Sequence, residues 1–327
     1  MTPPARKSRA SRRPPTAGAL ASIGAVPIPG DAGSHPELGL GLWNRGRWTH
    51  DETERVEATI ERALAAGMRW FDTAEVYGAG RSERVLGGVL SRHPELDPPP
   101  FVVSKVSWEH LRSTQLRAAI QGTLERLDRS SLDLYLVHAP DARVPIGETM
   151  QELRRIADEG RIRAIGVSNF TVPELEAAQA ALAPRRIVTN QVRYSLLDRE
   201  EGDAVREHCA RHGILLEAYS PLCHGLLAGR FLATGEIPAA ARRGVRLFDA
   251  DHLPATLAAA RKLAALAARA KVPLAAIALR WLRRQGALPI FGATTPDQVD
   301  ANLAAWAAHV PPELLDAADE IVRNERA

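Results

Sequence analysis

Apolar runs of five to eight residues recur along the chain and alternate with segments of helical period. The strand-like runs are 37–43 (ELGLGLW), 68–73 (MRWFDT), 101–106 (FVVSKV), 132–138 (LDLYLVH), 162–168 (IRAIGVS), 187–192 (IVTNQV), 214–219 (ILLEAY) and 287–292 (ALPIFG). Between them, Val56, Ile60 and Leu64 share one face of a helix, as do Leu116, Ile120, Leu124 and Leu127. Thr49 with Glu52, Thr171 with Glu174 and Thr295 with Gln298 have the spacing of capping boxes, and Gly67 closes the first helix. Eight strands separated by helices predict a parallel sheet.

Two architectures are open to such a sheet. A doubly wound sheet would carry G-x-G-x-x-G after its first strand, and the chain has neither that pattern nor G-x-x-x-x-G-K-[ST]. A closed (β/α)₈ barrel, an α/β TIM barrel, needs eight strands in about 250 residues. The predicted strand ends step by 22 to 33 residues until a last step of 73. That long step predicts an insertion after strand 7, a loop at 222–253 and an Ala-rich helix at 254–270. A C-terminal helix follows Pro311-Pro312, and a hairpin is expected within 17–35, turning at Pro29-Gly30-Asp31-Ala32-Gly33 and closing the barrel floor. The expected organisation is a disordered basic tail at 1–16 and a single domain at 17–327.

Charge changes this picture in one respect. The 327 residues hold 42 Lys plus Arg and 39 Asp plus Glu. Arg6, Lys7, Arg9, Arg12 and Arg13 fall in residues 1–30, which have no acidic residue, so the remainder is slightly acidic. Basicity confined to a tail argues against a nucleic-acid-binding domain, which spreads cations over a folded face. The same tail has an alternative reading as an export signal, Arg12-Arg13 before the apolar stretch Ala17–Val26, weakened by the two prolines after the arginine pair. Two cysteines, Cys209 and Cys223, are too few for a disulfide framework and point to a reducing compartment, hence a cytoplasmic protein. No apolar run reaches about 18 residues, so no membrane span is expected.

Function in a barrel collects at the C-terminal ends of the strands. Here those ends are Trp43, Asp72, Lys105, His138, Ser168-Asn169, Gln191, Tyr219-Ser220 and Gly292, each a polar or special residue closing an apolar run. Lys105 is one of four lysines against 38 arginines, placed inside a strand. Lysine is a compact donor whose pKa moves with its surroundings, which suits catalysis; a structural ion pair with Asp72 is the plainer alternative. Tyr77 lies just past the second strand, and a neighbouring ammonium favours its phenolate, making it a candidate general acid. His138 is in register with these three. His208 and His212 have i, i+4 spacing but no third ligand nearby, and no H-x-H pair supports a barrel metallohydrolase.

Taken together, FDTAEVYG (71–78), SKV (104–106), LDLYLVHAPD (132–141), GRIRAIGVSNF (160–170), NQVRYSLLDR (190–199), AYSPL (218–222), GLLAGR (225–230) and PIFGATTPDQVDANL (289–303) resemble the aldo-keto reductase family over roughly residues 36–305. The resemblance implies a (β/α)₈ barrel that binds a nicotinamide dinucleotide without a Rossmann motif, and hydride transfer to an aldehyde or ketone. It places the family's catalytic tetrad on Asp72, Tyr77, Lys105 and His138. It implies that Ser168, Asn169 and Gln191 hold the carboxamide and that Tyr219 stacks on the nicotinamide. Ser220, Pro221, Leu222, His224 and Arg230 would line the pyrophosphate, and Gly292, Thr294, Gln298 and Asn302 the adenosine end. Many members have Lys-Ser where this chain has Gly292-Ala293, and Arg where it has Gln298. NADPH is nevertheless the expected cofactor, with NADH as the alternative and Arg242 or Arg243 as the substitute cation. Cys223 stands where Gly or Ala is frequent, as a packed small residue or a redox-sensitive thiol. Trp43 and Trp108, with Trp48 as a third wall, are expected to line the substrate pocket. Because some proteins of this fold serve membrane channels as cofactor-sensing subunits, a regulatory role with little turnover is the alternative function.

Overall fold

In the computed structural model, residues 25–27, 34–43, 48–237 and 244–326 are described. The tail at 1–16 and Arg242 and Arg243 lie outside them. A two-stranded antiparallel hairpin, β1 (Ala25–Pro27) and β2 (Ser34–Pro36), precedes the barrel; the residues of its expected turn lie outside the described ones. The barrel strands are β3 (Gly39–Gly41), β4 (Trp70–Asp72), β5 (Phe101–Val106), β6 (Leu132–Val137), β7 (Ile162–Ser168), β8 (Ile187–Arg193), β9 (Leu215–Tyr219) and β10 (Ala287–Gly292). They pair in parallel, in chain order, and β10 returns to β3 to close the barrel. All eight predicted strands are present, within two residues of their expected bounds at each end.

The helices follow the capping signals. Helix α1 (His50–Ala65) starts at a reciprocal Thr49–Glu52 box, and α5 (Val172–Leu182) at a Thr171–Glu174 box. Between them lie α2 (Arg81–Leu90), α3 (Ser113–Leu127) and α4 (Ile146–Asp158). Then come α6 (Glu200–His212), the inserted Ala-rich α7 (Leu253–Ala270), α8 (Leu274–Arg284), α9 (Pro296–Ala307) and the C-terminal α10 (Pro312–Arg326). The third box does not form. At α9, Gln298 Oε1 instead accepts from the backbone N–H of Thr294 at 2.9 Å, one residue before the expected cap. None of these helices is long and apolar enough to cross a membrane, among the described residues.

Strand periodicity divides the core in two. Outward residues such as Val102, Val106, Tyr135 and Val137 pack under the helices. Inward residues form a separate apolar plug of Trp70, Phe101, Val103, Leu134, Leu136 and their neighbours. Trp70 and Phe101 stack with ring centroids 4.5 Å apart. Gly39 makes room for this, since a Cβ there would stand 2.6 Å from the Trp70 ring. The same inward parity, followed one step further up each strand, delivers Asp72 above Trp70, Lys105 above Val103, and His138 above Leu136.

One strand breaks that parity. Ile187 pairs with Ile165, but Asn190 pairs with Val167, so β8 carries one residue more than β7 over the same span. This bulge puts both Val188 and Gln191 on the inside of the barrel, although they are three residues apart. Bulges of this kind re-aim a side chain, and here the side chain is Gln191.

Candidate active site

The polar layer at the top of the barrel is centred on Lys105, which is wholly buried. Its Nζ donates to Asp72 Oδ1 and Oδ2 at 2.6 and 2.7 Å, to the carbonyl of Thr73 at 2.9 Å and to Tyr77 Oη at 3.3 Å. Burial disfavours the ammonium, but Asp72 and Tyr77 outweigh it, and the Lys105 pKa is raised. A buried ion pair is stable only when geometry is good and the remaining bonding capacity is filled, and both conditions hold. The ion pair with Asp72 is present, and the same arrangement holds Lys105 Nζ beside Tyr77 Oη.

Tyr77 sits in the turn after β4. Burial pushes its phenol up to about 12, against the downward pull of Lys105. This reverses the net direction expected from the sequence: the ammonium acts in the expected sense, yet the phenol is held protonated near neutrality. Beside it, the His138 ring meets Tyr77 edge-on at 5.6 Å and Trp108 at 5.9 Å. Burial, and then the Lys105 charge, lower the His138 pKa to about 3, so the imidazole is neutral. Its Nδ1 is buried without a hydrogen-bond partner among the described residues. A neutral imidazole carries one N–H donor.

Ser168, Asn169, Gln191 and Tyr219 gather next to this centre. Asn169, with φ +61°, donates through Nδ2 to the His138 carbonyl at 2.9 Å and to Ser168 Oγ at 3.0 Å, and accepts from Tyr219 Oη at 2.9 Å. Gln191 Nε2 donates to Asp72 Oδ2 at 2.8 Å and to Glu217 Oε2 at 2.7 Å. Glu217 is fully buried; burial and the nearby Asp72 raise its pKa to about 7.

The loop after β9 holds Ser220, Cys223 and His224 at φ +54°, +45° and +54°. Non-glycine residues in this region are strained, and such strain concentrates at ligand clamps. Pro221 and Leu222 are buried beneath it, and Arg230 is exposed at its end, its methylenes against Gly225. Cys223 is packed, with Sγ 3.0 Å from Ser195 Oγ. At the end of β10, Gly292 and Thr294 are exposed, Gln298 is bonded to Thr294, and Asn302 is buried on α9.

Among the described residues, the large apolar side chains that stay exposed are Trp43, Val76 and Trp108, on the loops leaving β3, β4 and β5. Trp43 meets His224 edge-on at 6.2 Å, which brings the loops after β3 and β9 together. Trp48 is not part of that wall: it is buried, its ring filling the space where a Cβ on Gly78 would sit. His208 and His212 stack on each other at 4.1 Å, and no group of three potential metal ligands occurs among the described residues.

Several contributors lay outside the sequence-based set. Glu217 stands in mid-strand rather than at a strand end. Glu75 accepts from the Ser107 backbone at 2.5 Å and bonds His110 Nδ1 at 3.0 Å, tying the Trp108 turn to the Tyr77 loop. Arg193 donates to the Gly244 carbonyl at 2.9 Å and lies 5.8 Å over the Tyr219 ring, joining the inserted loop to that tyrosine. Nothing in the sequence singled out Arg193 or pairs Glu75 with residue 107.

Residues 37–323 match the Aldo/keto reductase family. The chain belongs to that family. It is 29% identical over 293 residues to the NADH-specific methylglyoxal reductase of Escherichia coli, covering 82% of this chain and 89% of the relative. Among solved structures it resembles a glycerol dehydrogenase of Gluconobacter oxydans (28% identity, TM-score 0.82, 93% and 96% of the two chains). It also resembles an aldo/keto reductase of Klebsiella pneumoniae in complex with NADP and acetate (27% identity, TM-score 0.70, 89% and 93%). As an aldo-keto reductase the protein is an oxidoreductase built on a (β/α)₈ barrel, and its chemistry is carbonyl reduction.

Proposed function

We propose that this aldo-keto reductase reduces apolar or aromatic aldehydes and ketones to alcohols with NADPH, and that Tyr77 is the general acid. The observation that carries this is the Lys105 ammonium, held by Asp72 and 3.3 Å from Tyr77 Oη, beside a neutral His138. When bound, the nicotinamide supplies the hydride, and the protein residues handle the charge that develops on the carbonyl oxygen.

Tyr77 gives its proton to that oxygen. Its high pKa keeps the proton available at neutral pH, and Lys105 stabilises the phenolate left behind. Asp72 keeps Lys105 charged and in place. His138 donates its single N–H to the same oxygen and aims the carbonyl. Trp43, Val76 and Trp108 present an apolar rim, which suits a substrate with an aromatic or alkyl body.

The donor set fits the cofactor. Both Nε2 hydrogens of Gln191 go to carboxyl groups, so Gln191 would offer a carboxamide its Oε1 acceptor, while Ser168, held by Asn169 Nδ2, would turn its hydroxyl to the other end and Tyr219 would present a ring. Ser220, Pro221, Leu222, His224 and Arg230 would meet the pyrophosphate, and Gly292, Thr294, Gln298 and Asn302 the adenosine. NADPH is favoured by the Klebsiella structure with NADP; the E. coli relative is NADH-specific. Residues 292–303 contain no Lys or Arg, which makes cofactor preference the sharpest variable.

A steady-state panel of aldehydes and ketones, with NADPH and NADH side by side, tests the reading. Turnover of 4-nitrobenzaldehyde with NADPH is expected, and Tyr77→Phe should lower it by roughly 100-fold or more while cofactor binding persists. Undiminished reduction by Tyr77→Phe would sink the assignment of the acid; a preference for NADH would replace the cofactor and leave the acid standing.

A further inference from the structure

We propose that Glu217 is a positioning residue for the nicotinamide: through Gln191 it fixes which end of the amide meets the carboxamide, and its charge sets how firmly the site holds the oxidised ring relative to the reduced one. This rests on the nicotinamide reading above.

Glu217 is a buried titratable group that the proton-transfer scheme does not use. It is the register partner of Gln191 across β8 and β9. An isolated Gln amide can turn over, exchanging donor and acceptor. Here Gln191 lies between two carboxyl groups, Asp72 on β4 and Glu217 on β9, both bonded to Nε2. While Glu217 is ionised, turning the amide would face Oε1 toward two carboxylate acceptors and lose both bonds. Asp72 alone is already engaged by Lys105, so Glu217 is the partner whose main bond is to Gln191.

The charged and titratable groups around Glu217 come from each neighbouring strand. Asp72 on β4 repels its ionised form, and Lys105 on β5 attracts it; Gln191 on β8 donates to its Oε2, Thr189 on β8 adds a weaker favourable contact while its hydroxyl donates to the Leu215 carbonyl, and its register partner on β10 is the apolar Leu288. Burial first, and then Asp72, outweigh the groups that favour its charge, and Glu217 titrates close to neutrality, at about 7. His138 does not change charge in that range, since its pKa is about 3. The oxidised nicotinamide ring is a cation and the reduced ring is neutral. Ionised Glu217, one hydrogen-bonded residue behind the ring's carboxamide, therefore favours the oxidised form, and neutral Glu217 does not.

The test is titration of the full chain with NADPH and with NADP⁺, followed by fluorescence, from about pH 5.5 to about pH 8.5, the range over which Glu217 changes charge. The cofactor's 2′-phosphate titrates near 6 in both forms, so it cancels in the ratio of the two Kd values. In the wild type, Kd(NADP⁺)/Kd(NADPH) should fall by about tenfold with rising pH, one pKa unit of coupling between the two forms. In Glu217→Gln, whose amide oxygen still accepts from Gln191, the ratio should be flat. Glu217→Asp keeps an acid on a shorter stem and should keep the slope with a displaced midpoint. A pH-independent ratio in the wild type overturns the proposal without any variant. So does an unchanged slope in Glu217→Gln, or an unmoved midpoint in Glu217→Asp. If neither dinucleotide binds, the nicotinamide reading itself fails, and this proposal with it.

Discussion

The inside of the barrel contains two layers built by the same strands with opposite chemistry. The lower layer is Trp70, Phe101, Val103, Leu134, Leu136 and their neighbours, apolar apart from the indole N–H of Trp70. One step up on the same inward face come Asp72, Lys105, His138, Gln191 and Glu217, linked by hydrogen bonds or ring contacts to one another or to Tyr77. The lower layer is tolerant in kind: any set of side chains that fills the volume serves it. The upper layer is specific in kind, since each member is satisfied by a particular neighbour. The floor supplies stability, and it excludes water from beneath the ionised pair, which strengthens every interaction above it.

Substitutions that cross this boundary test the division. Lys105→Met should have the largest effect, lowering turnover by about 1000-fold and, by stranding the Asp72 carboxylate, costing about 3–5 kcal/mol of stability. Trp70→Ala, one layer down, should cost about 3–5 kcal/mol by leaving a cavity, seen as a lower unfolding midpoint in urea. Its turnover per folded molecule should stay near that of the wild type; a loss as deep as that of Lys105→Met would erase the distinction between layers. The third effect is on acid stability. The folded-state pKa of His138 is depressed to about 3, below an unfolded value of about 6.5. Its contribution is thus present above pH 6.5 and lost as pH falls toward 3. Denaturant midpoints over that range should decline less steeply in His138→Asn than in the wild type. The smallest effect belongs to the rim. Trp108→Ala should raise KM for an aromatic aldehyde by about tenfold, an aromatic contact of order 1 kcal/mol, with kcat little changed.

The lower layer and the strand ends were legible in the sequence because both follow a period of two. Runs such as FVVSKV and LDLYLVH show where apolar spacing gives way to Lys105 and His138, and parallel pairing then brings those ends to one rim. Three features escaped for physical reasons. Glu217 is hidden inside LLEAY, where one acidic letter in a strand gives no sign of the residue opposite it. The bulge in β8 depends on how β7 and β8 pair, a property of two segments that neither carries alone; without it, strict alternation would have put Gln191 and Val188 on opposite faces. The protonation of Tyr77 turned on a competition between burial and the Lys105 charge, and only the enclosed geometry shows that burial prevails. Gln298 capping Thr294 in place of Thr295 is a smaller case, a shift of one residue that spacing does not resolve.

Tyr77 and Lys105 are expected to act on one proton as a unit. A double-mutant cycle in single-turnover reduction tests it most directly, using the wild type, Tyr77→Phe, Lys105→Met and the double variant, each preloaded with NADPH and held below its unfolding temperature. If the two act as a unit, the double variant is no slower than the slower single variant, within about threefold. A double variant slowed by the product of the two single losses would show that the two residues contribute independently and do not share one proton.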